Sequence, residues 1–178
     1  MNNFMKLFAV FLVFIQVAFS QAIQSNPVSV SVAEQQLCKK TRYQALCIST
    51  LNLDPRSRTS DVQEFAWIAV DATTKKVKEM QQYLISVLRK ISLREDFERY
   101  GTCIEEYGAA IDRFLPAVVA DLKAKKYSEA MSEMNEVVSK PGYCEDQFAR
   151  KSPLTGRNKA VHDIADMTTD IIKAISTN

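Results

Sequence analysis

Apolar positions recur at steps of three and four along most of this chain. Between Ser60 and Ile91 the seam is Val62, Ala66, Ala69, Thr73, Val77, Met80, Leu84, Val87 and Ile91. That spacing puts all nine on one helical face. Ser60 and Gln63 read as a capping box at its start, and Asp61 sets a negative charge at the positive end of the helix dipole. A second seam runs through Phe97, Tyr100, Ile104, Tyr107, Ile111, Phe114, Val118 and Leu122. Pro116 falls inside it and predicts a kink or a division, because proline lacks an N–H and crowds the preceding turn. A third helix is expected over about Tyr127–Ser139, with Tyr127, Met131, Met134 and Val138 inward and Pro141-Gly142 as its stop. The last covers about Asn158–Ser176, with Val161, Ile164, Thr168, Ile171 and Ile175 inward. No strict period of two competes. Four amphipathic segments on short connections predict an all-α protein, an up-and-down four-helix bundle over about residues 60–176.

Upstream the pattern changes. Two short helices, about Ser31–Lys40 and Thr41–Leu51, predict an α-hairpin over about residues 31–51, the second opened by a Thr41/Gln44 capping box. Asn52–Thr59 contains Asp54-Pro55 and reads as a turn, and Gln24–Val32, with Pro27, as a loose polar lead. Leu7–Phe19 is almost wholly apolar, with Gln16 the exception, and follows the single charge of Lys6. Shorter than the ~20 residues of a membrane span, and followed by the small-x-small step Ala18-Phe19-Ser20, it reads as a signal peptide over residues 1–20. Residues 21–178 are then one secreted domain with no further stretch apolar enough to cross a membrane.

Composition narrows this picture. Four glycines and five prolines are few for an all-β chain, which needs frequent turns. The formal charge of +2 includes Lys6 of the leader, so no basic face for nucleic acid is expected. Cys38, Cys47, Cys103 and Cys144 all follow the leader, and an even count in a secreted chain reads as two disulfides. Of the three pairings, Cys38–Cys47 with Cys103–Cys144 is favoured, since a tight helical hairpin closes the first. With His162 the single histidine and no C-x-x-C pair, zinc spacing is absent, and no cofactor motif is present.

Catalytic candidates are sparse. His162, beside Val161 and Asp163, reads as a pH-sensitive contact or, more simply, a solvated helix position. Glu105-Glu106 and Glu145-Asp146 are adjacent pairs, and neighbours on a helix do not face each other, so neither makes a glycosidase-like dyad. Their plainer reading is a charged outer face, or capping by Glu145 and Asp146 after a helix break. Lys123, Lys125 and Lys126, followed by Tyr127, form a basic cluster in the connection between the second and third helices. It is suited to an acidic groove, or simply to a helix C-terminus.

Three signatures together carry a resemblance. The first is Cys38-Lys39-Lys40-Thr41-Arg42-Tyr43-Gln44-Ala45-Leu46-Cys47, followed by Leu51 and Asp54-Pro55-Arg56-Ser57. The second is Tyr100-Gly101-Thr102-Cys103 with Tyr107 and Ala110-Ile111. The third is Cys144-Glu145-Asp146-Gln147-Phe148, then Ser152-Pro153-Leu154-Thr155 and Asn158. In this order the chain resembles the plant invertase inhibitor and pectin methylesterase inhibitor family over its whole mature length. The resemblance implies an N-terminal α-hairpin closed by the first disulfide and a four-helix bundle carrying the second. It also implies stoichiometric, one-to-one inhibition of a carbohydrate-active enzyme of the cell wall or vacuole, by plugging its substrate cleft. Invertase inhibitors use a Pro-Lys-Phe motif after the second long helix, and the corresponding place here is Lys125-Lys126-Tyr127, without the proline. These three are the candidate target-binding residues. Ser152-Pro153-Leu154-Thr155 looks more like the invertase branch, whereas pectin methylesterase inhibitors present bundle faces. Pectin methylesterase is slightly favoured as the partner, with acid invertase the alternative.

Two other readings compete. A helical bundle can hold an apolar ligand or act as a signal, and Ala66, Ala69 and Ala110 on the seams would either leave room or bring helices close. An enzyme is disfavoured because no base–nucleophile pair is visible.

Overall fold

A computed structural model of the protein describes residues 31–58, 61–149 and 151–177. The expected leader, the lead up to Val30 and the Ser60 half of one expected capping box lie outside them. The described chain is helical, in the order α1 (Val32–Cys38), α2 (Gln44–Asn52), a 3₁₀ turn (Pro55–Arg58), α3 (Val62–Leu88), α4 (Arg94–Ala109), a π-helical turn (Ala110–Phe114), α5 (Leu115–Lys123), α6 (Tyr127–Asp146) and α7 (Thr155–Ser176). α1 and α2 form the hairpin. Helix α3, the rod α4–π–α5, α6 and α7 pack in sequence, and α7 closes back onto α3. Gln63 at the start of α3, Leu122 at the end of α5, Tyr127 at the start of α6 and Ile175 at the end of α7 meet at one end, so the rods alternate in direction.

The expected inward faces of α3 and α7 are largely the buried ones, although Val62, Val87 and Ile91 are half-buried and Ile91 lies beyond the end of α3. Ala66, Ala69, Thr73, Val77, Met80 and Leu84 fill the α3 side, and Val161, Ile164, Thr168, Ile171 and Ile175 the α7 side. Ala69 and Ala110 are fully buried and Ala66 nearly so, so these small side chains sit inside the core. Thr73 and Thr168 share a buried hydrogen bond of 2.9 Å between hydroxyls, so the polar pair on this seam is satisfied internally.

Pro116 divides the second rod as its chemistry requires. It is the second residue of α5, behind a π-turn in which Leu115 N–H reaches the Ala110 carbonyl five residues back. The wider turn sits where proline removes a hydrogen bond.

Four expectations are corrected. The third helix does not stop at Ser139 but runs through Pro141-Gly142 to Asp146. Its end is held from outside: Cys144 is joined to Cys103, and Lys140 reaches Glu106 of α4 at 3.2 Å. These contacts outweigh the ~3 kcal/mol that an interior proline costs. The buried stripe of α6 is Ala130, Met134, Val137, Lys140, Pro141 and Cys144, while Tyr127, Met131 and Val138 are only half-buried. Phe97 is not inward but 52% exposed, on the first turn of α4. The capping boxes also fall elsewhere. Asp61 caps α3 by accepting from Gln63 N–H at 2.9 Å, Thr41 donates back to the Cys38 carbonyl at 2.9 Å, and the α2 cap is Tyr43 with no side-chain bond. A true box is formed by Ser31 and Glu34 at α1.

Two disulfides join Cys38 to Cys47 within the hairpin and Cys103 to Cys144 between α4 and α6. The hairpin is clamped to α7 by charge. Arg42 bonds Asp166 at 2.7 Å and Asp170 at 2.8 Å, and the Tyr43 hydroxyl donates to Asp166 at 2.9 Å. Burial, helped by that carboxylate, pushes the Tyr43 phenol up to about 12.

Candidate target-binding site

The connection from α5 to α6 is a tight left-handed turn. Lys125 has φ of 57°, the region glycine favours, at a cost of about 1 kcal/mol for a side-chain-bearing residue. The Lys125 N–H donates to the Leu122 carbonyl at 3.0 Å and the Lys126 N–H to that of Asp121 at 2.8 Å, so these two carbonyls at the end of α5 are satisfied. Lys123, Lys125 and Lys126 are thereby exposed together at one tip of the bundle.

Tyr127 does not join them. It is the first residue of α6, half-buried, and its hydroxyl accepts a hydrogen bond from Gln63 of α3. Its neighbours in a small recess are Ala66, Trp67, Leu122 and Ile175. Of the three candidate residues, two cations are presented to solvent and the aromatic ring is folded back onto the bundle.

The catalytic candidates do not assemble. His162 is half-exposed with Nδ1 3.4 Å from Asp163. Glu106 turns to Lys140 while Glu105 is exposed. Glu145 and Asp146 lie in the last turn of α6 rather than after a break, and Asp146 is exposed. Glu145 accepts from Thr155 Oγ1 at 2.8 Å and from Asn158 Nδ2. Asn158 Oδ1 in turn accepts from the fully buried Tyr107 hydroxyl at 2.7 Å. Among the described residues no three His, Cys, Asp or Glu side chains gather as a metal-ligand set.

The residues of the three signatures therefore converge on structural contacts. Tyr107, Glu145, Thr155 and Asn158 bind α4, α6 and α7 beside the Cys103–Cys144 bond. Tyr100 packs edge-on against Phe148 at 5.3 Å, and Arg42 and Tyr43 hold the hairpin. Residues 33–176 match the sequence family described as plant invertase/pectin methylesterase inhibitor. The chain belongs to that family. Among relatives of this inhibitor family, it is 28% identical to a pectinesterase inhibitor of Actinidia deliciosa over 64% of this chain, and it spans 60% of that protein's length. It is 26% identical to a cell wall / vacuolar inhibitor of fructosidase of Arabidopsis thaliana, covering 82% of this chain and 81% of the relative. The fold matches a mutant form of a pectin methylesterase inhibitor from Arabidopsis with a TM-score of 0.68 at 18% identity, over 80% of this chain and 97% of that one.

The Arg42–Asp166–Asp170 clamp and buried Lys140 were not read from the sequence. Lys140 is 7% exposed, between Glu106 and the Phe114 ring. The clamp had a visible signal: Asp163, Asp166 and Asp170 repeat at helical spacing on α7 opposite an arginine of the first signature. Lys140 had only the i,i+4 spacing from Glu136, because Glu106 and Phe114, the partners that bury it, lie outside its own helix.

Proposed function

We propose that this chain is a secreted inhibitor of a plant carbohydrate-active enzyme, acting one-to-one by occluding the substrate cleft, with pectin methylesterase the favoured target. The family match over residues 33–176 carries the reading of an inhibitor. The choice of target rests on Tyr127. With its hydroxyl bonded to Gln63 and Lys125 rather than proline before Lys126, the α5–α6 connection offers two lysines and no free aromatic ring to a narrow sugar pocket. A bundle face against a long polysaccharide cleft suits that arrangement better. Acid invertase is the second reading, favoured by the match with the fructosidase inhibitor over 82% of the chain. The reading includes removal of residues 1–20, a single inhibitor domain after them, and action in the cell wall or vacuole.

Titration of purified pectin methylesterase and purified acid invertase with the disulfide-intact protein is the test. Stoichiometric inhibition of the first, relieved by oligogalacturonide, is expected. Inhibition of invertase alone, relieved by sucrose and lost in a folded Lys126→Ala/Tyr127→Ala variant, overturns the choice of target. Inhibition of neither overturns the reading as a whole.

A further inference from the structure

One exposed aromatic ring on the bundle is held rigid before any partner arrives. Of the six tyrosines Tyr143 alone is exposed, at 47%. It stands on the outer stripe of α6, where Glu129, Ser132, Glu136, Ser139 and Tyr143 step by threes and fours over about 20 Å. The continuation of α6 past Pro141-Gly142 is what places it on that stripe. Lys140 Nζ lies 5.1 Å from the ring centre and is itself fixed by Glu106 at 3.2 Å. The next residue, Cys144, is bonded to Cys103 of α4. A tyrosine fixed in this way loses little freedom on association, and such side chains are common anchors of protein interfaces.

Charge around the ring selects the partner. α3 and α7 each carry three carboxylates and three cations, whereas α4 and α6 together carry ten carboxylates and three cations. All three cations are engaged within this pair of helices: Arg94 with Glu98, Arg99 with Glu95 and Asp96, and Lys140 with Glu106 and Glu136. Glu105, Glu129 and Glu133 have no ion pair among the described residues, so this side of the bundle meets solvent as a net anion. A cleft that holds de-esterified pectin holds a polyanion, and a side of this sign is complementary to the cations such a cleft needs. The paired catalytic carboxylates of a glycoside hydrolase would repel it.

We infer that Tyr143 anchors the α4–α6 side of the bundle in the substrate cleft of a pectin methylesterase, with Glu129 and Glu133 meeting cations that otherwise hold the polyuronate. This rests on the proposed inhibition and adds the surface that performs it. The test is titration of purified pectin methylesterase with the disulfide-intact protein and its variants, together with association rates at low and high salt. Tyr143→Ala should weaken inhibition at least about thirtyfold, and Tyr143→Phe should keep most of it. Glu129→Gln/Glu133→Gln should slow association about fivefold at low salt, and the difference should vanish near ~0.5 M salt. Lys78→Gln, on the outer face of α3, should change neither quantity. Failure of the parent to inhibit this enzyme overturns the choice of target and the inference with it. Where the parent inhibits, undiminished inhibition by Tyr143→Ala overturns the inference alone, and so does an unchanged association rate for the glutamine pair. If Tyr143→Ala melts at a lower temperature, the glutamine pair, whose side chains lie outside the core, decides.

Discussion

Asn158 is a polar amide almost fully buried in the α7 face, and it is tolerated because both its oxygen and its nitrogen have partners. Its oxygen accepts from Tyr107 and its nitrogen donates to Glu145. Burial, with Glu145 nearby, raises the Tyr107 phenol well above its ordinary value, so the hydroxyl remains a donor through neutral and mildly alkaline pH. Tyr107→Phe keeps the ring and strands the Asn158 oxygen, and should cost about 1–3 kcal/mol. In a Tyr107→Phe/Asn158→Ala cycle the two losses should fall short of additive. The sign in pH follows from the raised value. The stabilising contribution of Tyr107 is complete below about 10, the ordinary tyrosine value, and is lost as pH climbs from there toward the folded-state value. Urea denaturation across that alkaline range should therefore decline less steeply for Tyr107→Phe than for the parent. An additive cycle with an unchanged alkaline slope would show that the hydrogen bond contributes nothing to stability. At this scale the sequence named Tyr107 and Asn158 as signature residues but gave no reason for them. The reason is a pairing across helices, which no local pattern encodes.

Helices were legible where a periodic face was long. The seams of α3 and α7 could be read because each repeats an apolar step over several turns against a large core. The starts and stops were less legible, because local signals compete with tertiary contacts. Pro141-Gly142 is a strong local stop, yet α6 continues for another turn because Cys144 and Lys140 are anchored to α4. Thr41 carries a capping side chain, but its hydroxyl closes α1 rather than opening α2. Phe97 completes a helical spacing, but the bundle ends before it and leaves the ring in water. The missing hydrogen bond at Pro141 is a standing cost, offset partly by the buried ring and by the stiffer unfolded chain. Pro141→Ala restores the bond to the Val137 carbonyl and should raise stability by about 1 kcal/mol, read as a shift of the denaturation midpoint at constant slope. A lower midpoint would mean that packing of the proline ring against its neighbours outweighs the restored bond.

The whole molecule is two units held by different means. The bundle has an extensive apolar core and a disulfide that closes a loop of 41 residues, whereas the hairpin has two helices of 7 and 9 residues and a disulfide across 9. Helices that short do not stand alone, so the hairpin depends on its staple and its docking. The docking is substantial: Leu37 and Leu51 are buried, and the Arg42–Asp166–Asp170 clamp fastens the hairpin turn to α7. Loop-closure entropy assigns about 3 kcal/mol to the short disulfide and about 4 kcal/mol to the long one. The larger separation comes from where each acts. Cutting Cys103–Cys144 frees α4 from α6 inside the bundle, so Cys103→Ser/Cys144→Ser should lower the melting temperature of the whole molecule by about 10 °C or more. Cutting Cys38–Cys47 leaves the clamp in place, so Cys38→Ser/Cys47→Ser should loosen residues 32–52 first. Amide exchange should accelerate there while the α3 and α7 cores keep their protection. Adding Arg42→Ala to that variant should release the hairpin, speeding exchange across α1 and α2 further without reaching α7. If Cys38→Ser/Cys47→Ser alone speeds exchange throughout the bundle, the hairpin and bundle form one cooperative unit and the division into two is wrong.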